Sequence, residues 1–144
     1  MKMVEIKKKH IDWLRDSFVE NAKDFSIGGN LPLPEATTKL LNSPQKILPI
    51  VDEFKKVVGI VTRSDIARSV IDISQNILNP KEQVSKVANK NFVGVKKADT
   101  INDLMNKFLA NEKIDNVIVT DNEGKLFGIV NRTKFVSEMR ELIK

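Results

Sequence analysis

Few side chains in this sequence are equipped for covalent or acid–base chemistry. Among its 144 residues there are 0 cysteines and 1 histidine, His10. Cysteine nucleophiles, thiolate zinc sites, iron–sulfur clusters and disulfide frameworks are therefore excluded, and a multi-histidine metal site with them. His10 lacks a companion set: Glu5, Asp12 and Asp16 are scattered along the same stretch and form no acid–base pair. Asp52 and Asp121 stand at the openings of polar turns, where an aspartate bonds its own backbone. There is no glycine-rich phosphate loop and no Ser-His-Asp set. What remains is a hydroxyl-to-carboxylate spacing, Thr62-Arg63-Ser64-Asp65, at the end of an apolar run. Taken alone, that spacing is what an ordinary helix cap requires. Whether it does more depends on the elements that hold it.

Those elements occur twice. Residues 47–66, ILPIVDEFKKVVGIVTRSDI, align without a gap on residues 116–135, NVIVTDNEGKLFGIVNRTKF. Asp52 meets Asp121, Lys56 meets Lys125, Gly59-Ile60-Val61 meets Gly128-Ile129-Val130, and Arg63 meets Arg132. Internal repetition at a fixed offset is the first clue to architecture. Each copy reads as a short strand (about 25–27; about 92–95), an amphipathic helix, an apolar strand (47–51; 116–120), a polar turn, a second apolar strand (57–62; 126–131) and a closing helix (64–78; 133–143). In the second copy Ile101, Leu104, Met105, Phe108 and Leu109 recur at helical spacing, behind a Thr100-x-x-Asp103 cap. Pro34 suits the first turn of the matching helix.

The expected fold is therefore α+β: two β-α-β-β-α repeats. Val57, Val58, Ile60 and Val61 make the strands apolar on both faces, so they need cover on both sides. A unit of about 60 residues supplies that cover poorly alone, and the two repeats are expected to pack with pseudo-two-fold symmetry. Ile6, His10, Trp13, Leu14, Phe18 and Val19 predict an amphipathic helix over residues 1–23, docked on a neighbour. The first repeat is placed at 24–79. Asn79-Pro80 marks a linker, and 80–144 holds that linker and the second repeat.

The doubled pattern resembles the CBS-domain pair, or Bateman module, over about 120 residues. The residues that carry the resemblance are Leu48-Pro49-Ile50-Val51-Asp52 followed by Gly59-Ile60-Val61-Thr62-Arg63-Ser64-Asp65, with their counterparts in the second copy. The resemblance implies a non-catalytic regulatory module that senses an adenine nucleotide or related adenosyl ligand in a cleft between the repeats. AMP, ADP, ATP and S-adenosylmethionine are the ligands it suggests. It also assigns roles. The carboxylate of Asp65 would accept the ribose hydroxyls. Thr62, Ser64 and the helix N–H groups would face phosphate. Ile60 would wall the adenine, Val93 and Ile114 would line the cleft from the other repeat, and Lys46 would reach a phosphate. The second copy departs from the pattern, with Asn131 in place of Thr62 and Lys134 in place of Asp65. A lysine accepts no hydroxyl proton, so the second cleft is not expected to hold ribose.

Composition bounds the alternatives. Lys and Arg number 24 against 19 Asp and Glu, a formal charge of +5, and the lysine clusters are spread along the chain. With no tyrosine and a single tryptophan, the pattern lacks the basic stripe and aromatic platforms of a nucleic-acid binder. The N-terminal residues have no signal-peptide core and no apolar run reaches membrane-spanning length, so a cytoplasmic protein is expected. Apolar residues on the closing helices (Ile66, Val70, Ile73; Phe135, Val136, Met139) point to a homodimer. The competing readings are a dimerisation module without ligand, and an accessory domain of a larger transporter or enzyme.

Overall fold

The computed structural model describes residues 1–14, 19–20 and 25–144. The chain divides into two compact units, Asp24–Phe92 and Met1–Lys23 with Val93–Lys144.

In the unit Asp24–Phe92 the elements are β2 (Ile27–Gly28), α2 (Leu33–Asn42), β3 (Ile47–Val51), β4 (Val57–Thr62) and α3 (Arg63–Ser74), then a 3-10 turn at Val84–Lys86. β2 runs parallel to β3, and β3 antiparallel to β4. Every residue of β3 is buried, as its unbroken apolar run requires. α2 turns Leu33, Ala36 and Leu40 inward at helical spacing. They pack with Ile27, Leu48, Ile50, Val61 and Val84.

The second unit has a four-stranded sheet, β1-β7-β6-β5, with β1 at Val19–Glu20, β5 at Gly94–Lys96, β6 at Asn116–Thr120 and β7 at Leu126–Asn131. α4 (Ile101–Ala110) buries Ile101, Leu104 and Phe108, and α5 (Arg132–Leu142) buries Phe135 and Met139. Phe108 and Phe135 stack with ring centroids 5.6 Å apart. The predicted capping box of α4 is formed: Asp103 N–H donates to Thr100 Oγ1 (3.2 Å) and Thr100 N–H to Asp103 Oδ2 (3.0 Å).

The repeats match in detail. The register shift in the β3–β4 pair lies between Ile50 and Val51, that of β6–β7 between Val119 and Thr120. Asp52 Oδ1 accepts from the N–H groups of Phe54 and Lys56, and Asp121 Oδ1 from those of Glu123 and Lys125. For Asp121 the partial desolvation that raises a carboxyl pKa is outweighed by these backbone donors and by the nearby charges of Lys125 and Lys97, and its pKa lies below the usual value.

The N-terminal segment departs from expectation. One amphipathic helix is not formed: α1 spans Met3–Lys7 only, a 3-10 turn follows at Ile11–Leu14, and β1 pairs antiparallel with β7. The backbone is drawn off the helical path by the start of α4. Ile101 N–H donates to Lys9 O (2.8 Å), Ile11 N–H to Asp99 O (2.8 Å) and Asp12 N–H to Lys97 O (3.1 Å). Ile6, Ile11 and Leu14 are the residues buried, while His10 and Trp13 are exposed. Phe18 lies outside the described residues.

The linker also touches the sheet's edge, through an isolated bridge to β4. Asn89 and Ile60 exchange both backbone hydrogen bonds, at 2.9 and 2.8 Å. A Cβ on Gly59 would stand 3.2 Å from Asn89 O, so the glycine permits this approach. Glu20 pairs with Ile129 as Asn89 pairs with Ile60. Both pairs are related by the repeat offset, so the segment before each repeat covers the outer hairpin strand of the other.

Candidate functional site

β4 delivers Thr62 to the start of α3, where both halves of a capping box close. Asp65 N–H donates to Thr62 Oγ1 (3.4 Å), and Thr62 N–H donates to Asp65 Oδ2 (2.8 Å). The Thr62 hydroxyl also donates to Oδ2 (3.0 Å). The other carboxylate oxygen, Oδ1, accepts from the guanidinium of Arg68. Asp65 is only 3% exposed. A buried carboxylate requires this degree of hydrogen bonding and pairing. The spacing Thr62-x-x-Asp65 is thus a helix cap, as its residue types alone predict, and a concentrated acceptor as well.

The other expected site residues fall into two groups. Ser64 lies exposed in the first turn of α3, and Ile60 is buried one strand position pair before Thr62. Lys46 has a left-handed backbone (φ 55°), and its ammonium donates to Leu41 O (2.5 Å), near the C-terminus of α2. Val93 and Ile114 belong to the other unit, where both pack partly buried against the core. Val93 O accepts from Ile118 N–H, and Ile114 O from Arg132 Nε.

The second repeat builds its junction differently. Asn131 Oδ1 caps α5 by accepting from Lys134 N–H (3.2 Å), and no carboxylate stands there. Arg132 folds back under α4: its guanidinium donates to Phe108 O, Asn111 O and Ile114 O at 2.7–2.9 Å and lies 4.8 Å from the Phe108 ring centroid. Arg132 thereby caps the C-terminal end of α4. A groove of about 470 Å³ on this unit is lined by Val95, Asp99, Asp103, Asn106, Lys107 and Ala110. Its carboxylates are engaged by the backbone of Lys96 and by Thr100. Among the described residues no cluster of His, Cys, Asp or Glu could hold a metal ion.

The CBS domain family model matches residues 19–72 and 84–141. The chain belongs to the CBS domain family. It carries two copies, and their boundaries take in β1 before the first copy and the Val84–Lys86 turn before the second. It is 25% identical over 108 residues to the uncharacterized protein MJ1404 of Methanocaldococcus jannaschii, covering 75% of this chain and about a quarter of that protein's length. Its fold is similar to the CBS domain pair of protein MJ0100, solved in complex with 5′-methylthioadenosine and S-adenosyl-L-methionine. The TM-score is 0.68 at 24% identity, over 95% of this chain and 99% of that one. CBSX2, solved in complex with AMP, gives a TM-score of 0.74 at 18% identity, over 94% and 98% of the two chains. Among the described residues no helix is long and apolar enough to cross a membrane.

Proposed function

We propose that this tandem CBS protein is a non-catalytic regulatory module of the cytoplasm that binds an adenosyl ligand at the β4–α3 junction, with Asp65 taking the ribose hydroxyls. The observation that supports this reading is the buried carboxylate at the first turn of α3, beside the exposed Ser64 and the α3 N–H groups. A carboxylate offers fixed acceptors to a diol, and the helix N-terminus favours an anion. The AMP, methylthioadenosine and S-adenosylmethionine complexes of the two fold neighbours support the ligand class. Lys46 would exchange the Leu41 carbonyl for a phosphate oxygen. Val93 and Ile114 enter this reading on the family resemblance.

Calorimetric titration with AMP, ADP, ATP and S-adenosylmethionine tests it. A hydrogen bond to a charged group is worth about 1.5–3 kcal/mol, so Asp65→Ala is expected to weaken the best ligand roughly ten- to hundred-fold. Lys134→Ala is expected to leave it nearly unchanged. Asp65→Ala keeps the Thr62 cap but removes its reciprocal acceptor for Thr62 N–H, at a cost of about 1 kcal/mol of stability. Asp65→Asn, which retains an acceptor for Thr62 N–H, separates capping from binding. Equal losses at Asp65 and Lys134, or none at Asp65, would refute the assignment.

Exposed Val70 and Ile71 on α3, and separately Val136 on α5, favour a second reading in which the chain is a dimerisation module without ligand. Sedimentation equilibrium is then expected to give twice the monomer mass, and the titrations no heat. A concentration-independent monomer would remove this reading.

A further inference from the structure

Asp65 is the one buried ionisable side chain among the described residues. Its Oδ2 already accepts from the N–H and the hydroxyl of Thr62. Its Oδ1 accepts from Arg68. A carboxylate offers about four acceptor positions, two on each oxygen. Oδ2 is therefore filled, and Oδ1 has room for one further donor. A ribose presents two neighbouring hydroxyls, so it can be held through both only if one existing donor leaves. Thr62 is fixed by its place in the strand and by the reciprocal cap. The Arg68 side chain is 68% exposed and reaches Asp65 from one turn further along α3. Only the Arg68 end of this pair is at the surface, and its departure leaves both halves of the Thr62–Asp65 cap in place, so Arg68 is the donor that can yield, to an incoming donor that keeps the buried carboxylate satisfied. Once it does, its guanidinium presents five N–H donors and a permanent charge at the rim of the site. A phosphate on the incoming ligand re-pairs that charge in a fork of two bonds, whereas a ligand without phosphate leaves it in water.

We propose that Arg68 is a specificity-determining residue, which competes with ribose for Asp65 and is compensated only by a phosphate. The site then selects nucleoside 5′-phosphates over uncharged or cationic adenosyl compounds. The proposal rests on the reading of Asp65 as the ribose contact. It concerns a residue outside the Thr62–Asp65 motif.

The test is calorimetric titration of the full chain with AMP and with adenosine, for the wild type, Arg68→Gln and Arg68→Lys. Arg68→Gln is expected to weaken AMP roughly ten-fold or more. The same change is expected to tighten adenosine by about two- to five-fold, because the competitor is gone. Arg68→Lys, which keeps the charge without the fork, should fall between wild type and Gln for AMP. Opposite signs for the two ligands cannot arise from a damaged fold, which would weaken both. If Arg68→Gln changes both ligands equally, or leaves both unchanged while Asp65→Asn abolishes AMP binding, Arg68 has no selective role and only this proposal falls. If the wild type binds neither ligand, this proposal falls; the ribose assignment of Asp65 falls with it only if ADP, ATP and S-adenosylmethionine also give no heat.

Discussion

Lys55 and Gly124 occupy the same place in two matching turns, one behind Asp52 and one behind Asp121. Both have left-handed backbones, with φ of 67° and 84°. A side chain there costs about 1–2 kcal/mol from the contact of Cβ with the backbone. Glycine avoids that contact, although its freer unfolded chain returns about 0.5–1 kcal/mol of the gain. Lys55→Gly is therefore expected to stabilise the protein by roughly 0.5–1 kcal/mol. The reverse change, Gly124→Lys, is expected to destabilise it by a similar amount. Urea midpoints at constant slope measure both. A lower midpoint for Lys55→Gly would mean that contacts of the lysine side chain outweigh the backbone conformation. At this scale the sequence is readable where a residue's chemistry acts locally, as for Asp52, Asp121 and the Thr62–Asp65 cap. It is less readable where the partner comes from elsewhere. Arg68 was missed in the sequence, although its three-residue spacing to Asp65 was the signal that could have found it. The Arg132 guanidinium gave no such signal, because its carbonyl partners lie 18 to 24 residues back in the chain.

Elements declare themselves when packing and propensity agree. The strands at 47–51, 57–62, 116–120 and 126–131 match the sequence reading residue for residue, since each is an apolar run bounded by a cap or an Asp turn. α4 likewise shows its buried face at Ile101, Leu104 and Phe108. The closing helix of the first repeat ends at Ser74 rather than at residue 78, and Asn76 adopts a left-handed backbone (φ 60°) just beyond it. The N-terminal segment misleads because its apolar spacing fits a helix while its backbone is claimed by residues 97–101. Periodicity records which side chains are apolar, and here the tertiary hydrogen bonds decide the path. Val93 and Ile114 show the complementary limit. Their partial burial against a core is evident, but the reason for naming them was the family resemblance, and partial burial alone does not distinguish a packing residue from a wall of a site.

At the scale of the whole molecule, the sequence boundary at 79/80 and the structural boundary at Phe92/Val93 differ because the linker is part of the first repeat's packing. Leu33 N–H donates to Glu82 O, Val84 N–H to Leu31 O and Ser85 N–H to Gly29 O, and the Val84 side chain is fully buried. The chain then passes along β4, where Asn89 N–H donates to Ile60 O at 2.8 Å. An unpaired outer strand leaves backbone groups without partners, and a buried carbonyl that loses its donor costs about 1–3 kcal/mol. Proline removes the N–H and also restricts Ala88 before it. Asn89→Pro is therefore expected to lower stability by about 2 kcal/mol. Asn89→Ala keeps the N–H and loses only the exposed side-chain bond from Asn91 N–H, so it is expected to cost a few tenths of a kcal/mol. Urea denaturation of the two variants isolates the backbone contribution, and hydrogen exchange of the Asn89 amide in the unmodified protein should show protection comparable to that of β3. Equal midpoints for the proline and alanine variants, or an unprotected Asn89 amide, would mean that the linker lies beside the sheet without supporting it.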